Sequence, residues 1–262
     1  MLDTESPVSL IKIFGERNTS TNALKLLIER NSESIVVPST MTEIDSSATR
    51  RVEIMQKLGL SRKIIESSID SVFQKVNDIY SWKHTMTAFE DYKLFDGIGV
   101  VVCVRDPSSW LLSLHDKPYH FTGRRPPEKF EDFLLYRWKT VRRERMSDET
   151  LTPIELYNKK MHGYSILQRA LERIGNPVQV IRFEDFAHDQ RSSFRSICSN
   201  LASPAADVEE ITSSTKDPAK NADFYRHYYG EEQWKERISP DAANLIFNKI
   251  DWNVAARFGY TH

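Results

Sequence analysis

Residues Ile11–Ile28 read IKIFGERNTSTNALKLLI: a short apolar strand, a hydroxyl-rich turn, then a segment whose leucines recur at helical spacing. A strand that hands the chain to a helix start leaves the helix's first N–H groups without backbone partners, and those dipoles point at any anion placed before them. The turn from Asn18 to Asn22 adds the hydroxyls of Thr19, Ser20 and Thr21, Arg17 adds formal charge, and Gly15 is placed to let the backbone turn sharply. The stretch therefore predicts phosphate binding. It lacks the glycine-flanked Lys-Ser/Thr pair with which an ATP- or GTP-cleaving loop holds triphosphate and magnesium, which points away from a kinase.

A second stretch, IGVVVCVRDPSSWLLSLH at Ile98–His115, sharpens the first. Its apolar run is bounded by Gly99 and an Asp-Pro pair and reads as a strand buried on both faces, as in a parallel sheet covered by helices. Such a strand opens a ligand crevice at its carboxyl end, where Arg105 stands. Pro107 marks a helix start, and Ser113, eight residues after Arg105, can converge with it on one anion.

The remaining periodicity predicts helices over Asn22–Glu29, Ser61–Asn77, Phe130–Arg145, Ile154–Ile174, Gln190–Leu201 and Pro240–Phe258. Strands fall at Ile11–Phe14, Ser34–Val37, Ile98–Val104 and Val178–Phe183, with an extended piece near Tyr80–His84. Strands alternating with helices imply an α/β fold built on a central parallel sheet. With 262 residues, 40% of them hydrophobic, and without a Gly/Ser- or Pro-rich linker, the chain reads as one domain spanning 1–262.

Two phosphate sites at two strand ends, without a magnesium motif, resemble the sulfotransferases that use 3′-phosphoadenosine 5′-phosphosulfate, in particular their soluble bacterial members. GERNTSTNAL is similar to that family's 5′-phosphosulfate loop, and VRDPSSWLLS to its 3′-phosphate motif. VQVIRFEDF at Val178–Phe186 resembles its strand ending in an aromatic–Glu–Asp turn, and Arg237–Tyr260 its terminal helices. The resemblance implies a P-loop-like fold and transfer of a sulfuryl group to a hydroxyl or amine of a small-molecule or glycan acceptor, with no metal. It also implies that Arg105 and Ser113 hold the 3′-phosphate and that Phe183 packs near the adenine, although a core aromatic fits that position equally. Many family members carry Lys where Asn18 stands; here either Arg17 or Lys83 takes its role.

Lys83-His84 resembles, in its place before Arg105, the segment that carries the family's catalytic histidine. A neutral imidazole, with its ordinary pKa near 6.5, suits removal of the acceptor's proton, so His84 is the expected base; His115 and His120 lie just past the second anion motif. Residues 116–162 read as an insertion covering the acceptor, with Tyr119, His120, Phe121, Tyr136 and Trp138 as its lining. Its basic run, KTVRRER at Lys139–Arg145, reads as a solvated helix face or as a contact for an acidic acceptor. Lys216, Lys220 and Arg226 occupy the place of the family's C-terminal nucleotide loop. Glu184 and Asp185 are expected to tie the turn after the strand to N–H groups or an arginine.

Thirty-six basic against 37 acidic side chains give a net charge of -1, which supplies no global attraction to nucleic acid or anionic surfaces. Cys103 and Cys198 form no metal-ligand spacing and predict no disulfide scaffold. The N-terminal residues are acidic where a signal peptide is basic, and no apolar run approaches a membrane span, so a cytoplasmic enzyme is expected. A kinase with a divergent loop and a non-catalytic nucleotide-binding protein are the competing readings.

Overall fold

The computed structural model describes residues 8–119, 121–122, 125–146, 149–213 and 220–262, with the backbone alone at 121 and 122. Seven strands occur among them: β1 Leu10–Gly15, β2 Ile35–Val36, β3 Ile98–Val104, β4 Phe121–Thr122, β5 Trp138–Thr140, β6 Thr150–Leu151 and β7 Val178–Arg182. The central sheet runs β2-β1-β3-β7, and every neighbouring pair is parallel.

All seven residues of β3 are buried, because each face of the sheet is covered. Val100, Val102 and Val104 face a core built with Trp110 and Leu114 of the helix Pro107–Asp116 and with Tyr157, Tyr164 and Leu167 of the helix Pro153–Arg173. Val101 and Cys103 face the opposite core, formed with Leu24, Leu27 and Ile28 of the helix Thr21–Asn31 and Phe194 of the helix Gln190–Ile197. Alternation along one strand thus divides two hydrophobic cores. After β1 the chain adds β2 on one side and β3 on the other, so the order reverses between β1 and β3. Their carboxyl ends, Gly15 and Val104, flank the crevice that such a reversal opens.

The helix expected over Phe130–Arg145 stops at Leu135. Trp138–Thr140 instead forms the middle strand of a small antiparallel sheet with β4 and β6. The aromatic and β-branched residues there bury Trp138 and Thr140 and expose Lys139, a period of two that a helix cannot supply. Residues 153–162 of the expected insertion belong to the core helix Pro153–Arg173. The extended piece near Tyr80–His84 is a 3-10 turn, Asp78–Tyr80, followed by irregular chain that accepts a hydrogen bond from Gly15 N at Lys83 O, 3.0 Å. The final helix breaks at Lys249, and Asp251 caps a new turn by accepting from Val254 N.

Candidate functional site

β1 ends in a bend that holds Asn18 and Ser20 both at φ 61°, in the left-handed region. For residues other than glycine this conformation carries strain, and it turns successive N–H groups toward one concavity. Ser20 precedes the helix Thr21–Asn31 without donating or accepting a side-chain capping bond, and the first turn holds no acidic residue. The start of that helix therefore faces the cavity uncapped, lined by Asn18, Ser20, Thr21 and Asn22. Gly15 serves by close approach rather than by a turn of its own: a Cβ there would meet Cys103 Cβ, Thr19 Oγ1 and Thr21 Cγ2, each at 2.8 Å. Thr19, expected at the phosphate, is buried and donates its hydroxyl to Glu16 O at 2.6 Å, bracing the bend from behind.

Of the two cations expected to compensate for Asn18, Lys83 lines the cavity and Arg17 does not. Lys83 Nζ donates to Asn22 Oδ1, which brings its charge to the first helical turn. Arg17 is turned into the interior, 2% exposed, where Nη1 donates to Glu16 Oε1 and Glu144 Oε1, both at 2.8 Å, and Nη2 to Glu144 Oε2 at 2.5 Å. Lys160 Nζ stands 3.1 Å from Glu144 Oε1 and 3.6 Å from Glu16 Oε2. Burial alone would raise the Glu144 carboxyl; the charges of Arg17 and Lys160 outweigh it and hold the group at about 2. The run 139–145 is thus no solvated helix face, for Arg143 is buried with Glu66 and Asp70, and Glu144 completes the cluster behind the bend.

At the end of β3, Arg105 lines the same cavity while 3% exposed. Its Nε donates to Ser109 Oγ at 2.9 Å and its Nη1 to Asn18 O at 2.7 Å, which ties the strand end to the bend that follows β1. Its guanidinium carbon lies 4.1 Å from the Phe183 ring centroid and 4.7 Å from that of Tyr229. Ser113 also lines the cavity, one helical turn beyond the unexpected Ser109. Phe183 is a lining residue as well as a core aromatic. Glu184 accepts from Asp106 N at 3.0 Å and Tyr260 Oη–H at 2.8 Å, fastening the turn after β7 to the helix that starts beyond Arg105.

The helix Ala222–Gly230 presents Tyr225, Tyr228 and Tyr229 to the cavity. These residues were missed, although the run FYRHYYG signals an aromatic helix face. Lys220 lines the cavity, with Nζ 4.9 Å from the Phe224 centroid. Arg226, at the flank of the cavity face of its helix, is held instead by Asp223 Oδ1, 2.7 Å, and His188 O, 3.3 Å. Lys216 lies outside the described residues. At the rim, Arg237 makes a two-pronged pair with Asp116 at 2.7 and 2.9 Å.

His84 is buried at the cavity wall, its Nδ1 2.5 Å from Gly15 O and its ring edge-on to Trp82 at 4.8 Å. A carbonyl only accepts, so Nδ1 carries a proton, and in the neutral form of the ring the lone pair falls to Nε2. His115 packs its ring against Phe130 and Phe133 instead. Tyr119 reaches the cavity, but Trp138 is 3% exposed and, with Tyr136 against it at 6.2 Å, belongs to the core beneath the small sheet. His120 and the side chain of Phe121 lie outside the described residues. The chain matches no protein-family model and no curated protein sequence.

Proposed function

We propose that the chain is a P-loop-like sulfotransferase that moves the sulfuryl group of 3′-phosphoadenosine 5′-phosphosulfate to a hydroxyl or amine of a small-molecule or glycan acceptor. One observation carries the reading: a single cavity at the switch between β1 and β3 bears two separate grips for anions. The first is the uncapped helix start at Thr21 with Lys83 beside it; the second is Arg105 with Ser113. A nucleotide with phosphates at both its 5′ and 3′ positions matches two grips, and an aromatic wall of Phe183, Tyr225 and Tyr229 suits a flat base between them.

In this reading the N–H groups at Thr21 and Asn22 and the Lys83 ammonium stabilise charge growing on the 5′-phosphate as its bond to sulfur breaks. The acceptor oxygen or nitrogen bonds to that sulfur from the opposite side, and its proton passes to His84 Nε2. Adenosine 3′,5′-bisphosphate leaves. Arg17 acts at a distance, holding the bend in shape through Glu16 and Glu144.

Titration calorimetry with adenosine 3′,5′-bisphosphate, adenosine 5′-monophosphate and Mg-ATP tests the donor. The bisphosphate should bind tightest, and Arg105→Ala should erase its advantage, about 2 kcal/mol or roughly thirtyfold for lost charge-assisted bonds. Tight Mg-ATP binding indifferent to a 3′-phosphate would identify a kinase. Bisphosphate binding without sulfur transfer to a broad panel of hydroxyls and amines would identify a non-catalytic binder.

A further inference from the structure

The helical hairpin formed by Ser46–Lys57 and Arg62–Phe73 has an apolar tip that the cavity does not use. Leu58 is 71% exposed, Ile54 and Ile64 are each 50% exposed, and Leu60 is 39% exposed. Ile54 and the C-cap residue Leu58 end the first helix, Leu60 stands in the turn and Ile64 lies in the first turn of the second helix, so the four apolar side chains cluster in sequence about the connection. A Cβ added at Gly59 would meet nothing within 4 Å, so the turn projects clear of the protein. The root is anchored: Ala48 and Val52 are buried, and Glu66 and Asp70 hold Arg143 at 2.7 and 2.8 Å.

Charge identifies the occupant of this tip. From Asp45 to Glu66 the sequence carries Arg50, Arg51, Lys57, Arg62 and Lys63 against Asp45, Glu53 and Glu66, five cations to three anions in a chain whose net charge is -1. Asp45 and Glu66 stand at the far ends beside Arg51 and Arg62, at 3.5 and 3.7 Å, and Lys57, Arg62 and Lys63 flank the tip. All five cations are exposed. A second copy docking through a two-fold axis would set these cations against themselves. An anionic bilayer offers the complement, with headgroups for the cations and an acyl boundary for the leucines. We propose that the hairpin tip is a docking surface for anionic lipid membranes, on which the protein sits peripherally. Among the described residues no helix is long and apolar enough to cross a membrane, and this mode of attachment requires none. The proposal stands apart from the identity of the donor.

Co-sedimentation of the full chain with vesicles tests it, comparing pure phosphatidylcholine with mixtures containing phosphatidylglycerol. Binding should need the anionic lipid and fall with salt. Leu58→Asp/Leu60→Asp and Lys57→Ala/Lys63→Ala should each lower partitioning at least tenfold. Because these side chains are exposed, both variants should keep the wild-type melting temperature. Failure of the wild type to bind anionic vesicles, or equal binding by both variants, overturns the assignment. So does light scattering that shows a wild-type dimer and a monomeric Leu58→Asp/Leu60→Asp protein, which would make the tip a contact between copies.

Discussion

Arg17 and Lys83 were interchangeable as partners for a phosphate, and the structure gives them opposite roles that mutation can separate. Arg17→Met replaces a buried guanidinium by a side chain of similar reach and leaves Glu16 and Glu144 with Lys160 as their one remaining cationic partner among the described residues. Breaking a buried pair by removing one partner costs about 3–5 kcal/mol. Lys160, 3.1 Å from Glu144, keeps the loss near the lower end, about 3 kcal/mol, which for a domain of this size is roughly 6–12 °C in Tm. Glu144→Met added to Arg17→Met restores the balance of one cation to one carboxylate and should recover most of that loss. Lys83→Ala, by contrast, removes a side chain at the cavity wall and should cost about 1 kcal/mol of stability. Differential scanning fluorimetry reads the stability, and calorimetry with adenosine 3′,5′-bisphosphate reads the affinity. The expected pattern is a crossed one: Arg17→Met melts early and loses only the part of its nucleotide affinity that a loosened bend costs, whereas Lys83→Ala melts near the wild type and loses most of its affinity. If Arg17→Met melts with the wild type and loses nucleotide binding, the guanidinium faces the ligand and the assignment of the two cations is reversed.

Three further outcomes follow from the geometry. His84→Asn should spare binding of the bisphosphate and depress sulfur transfer by at least a hundredfold, the order of one general base; unchanged turnover removes His84 from the chemistry. Gly15→Ala forces a methyl against three atoms at 2.8 Å, so it should destabilise by about 1–3 kcal/mol and weaken nucleotide binding by opening the bend; wild-type melting and affinity would refute the close fit. Asp106 accepts from Ser109 N at 2.9 Å, and burial, reinforced by the Glu184 charge, pushes its carboxyl up to about 6. Between its ordinary value of 3.8 and about 6 the folded protein keeps a proton that the unfolded chain has released, so stability falls as pH rises through this window and stays lowered above it. Asp106→Asn, which retains the accepting oxygen, should flatten that slope and raise stability at pH 8 by up to about 3 kcal/mol; identical urea midpoints at pH 8 would refute it.

The parts of this molecule that local rules govern were legible in the chain. The apolar run of β3 bounded by Gly99 and Pro107 sets a buried parallel strand, and a buried parallel strand places whatever follows it, here Arg105, at a crevice. The start of the helix at Thr21 was legible for the same reason, since strand, turn and periodic leucines are neighbours in sequence. What local rules leave open is the direction in which a side chain of an irregular bend points. Arg17 is aimed inward by Glu144, 127 residues away, and nothing within the loop encodes that partner. Trp138 and Glu144 were misplaced together, because reading 130–145 as one helix assigns them a period of 3.6 where the chain adopts a period of two and a buried turn. A cluster that bears equal numbers of cations and carboxylates also gives no composition signal, so its members read as surface charge. The consequence bears on the site itself: the bend holds two left-handed residues that are not glycine, and such strain persists only where surrounding structure fixes it. The Glu16–Arg17–Glu144–Lys160 cluster, the Thr19 hydroxyl on Glu16 O and the Arg105 bond to Asn18 O are that fixing structure. The charge placed behind the bend therefore shapes the cavity wall in front of it without lining the cavity.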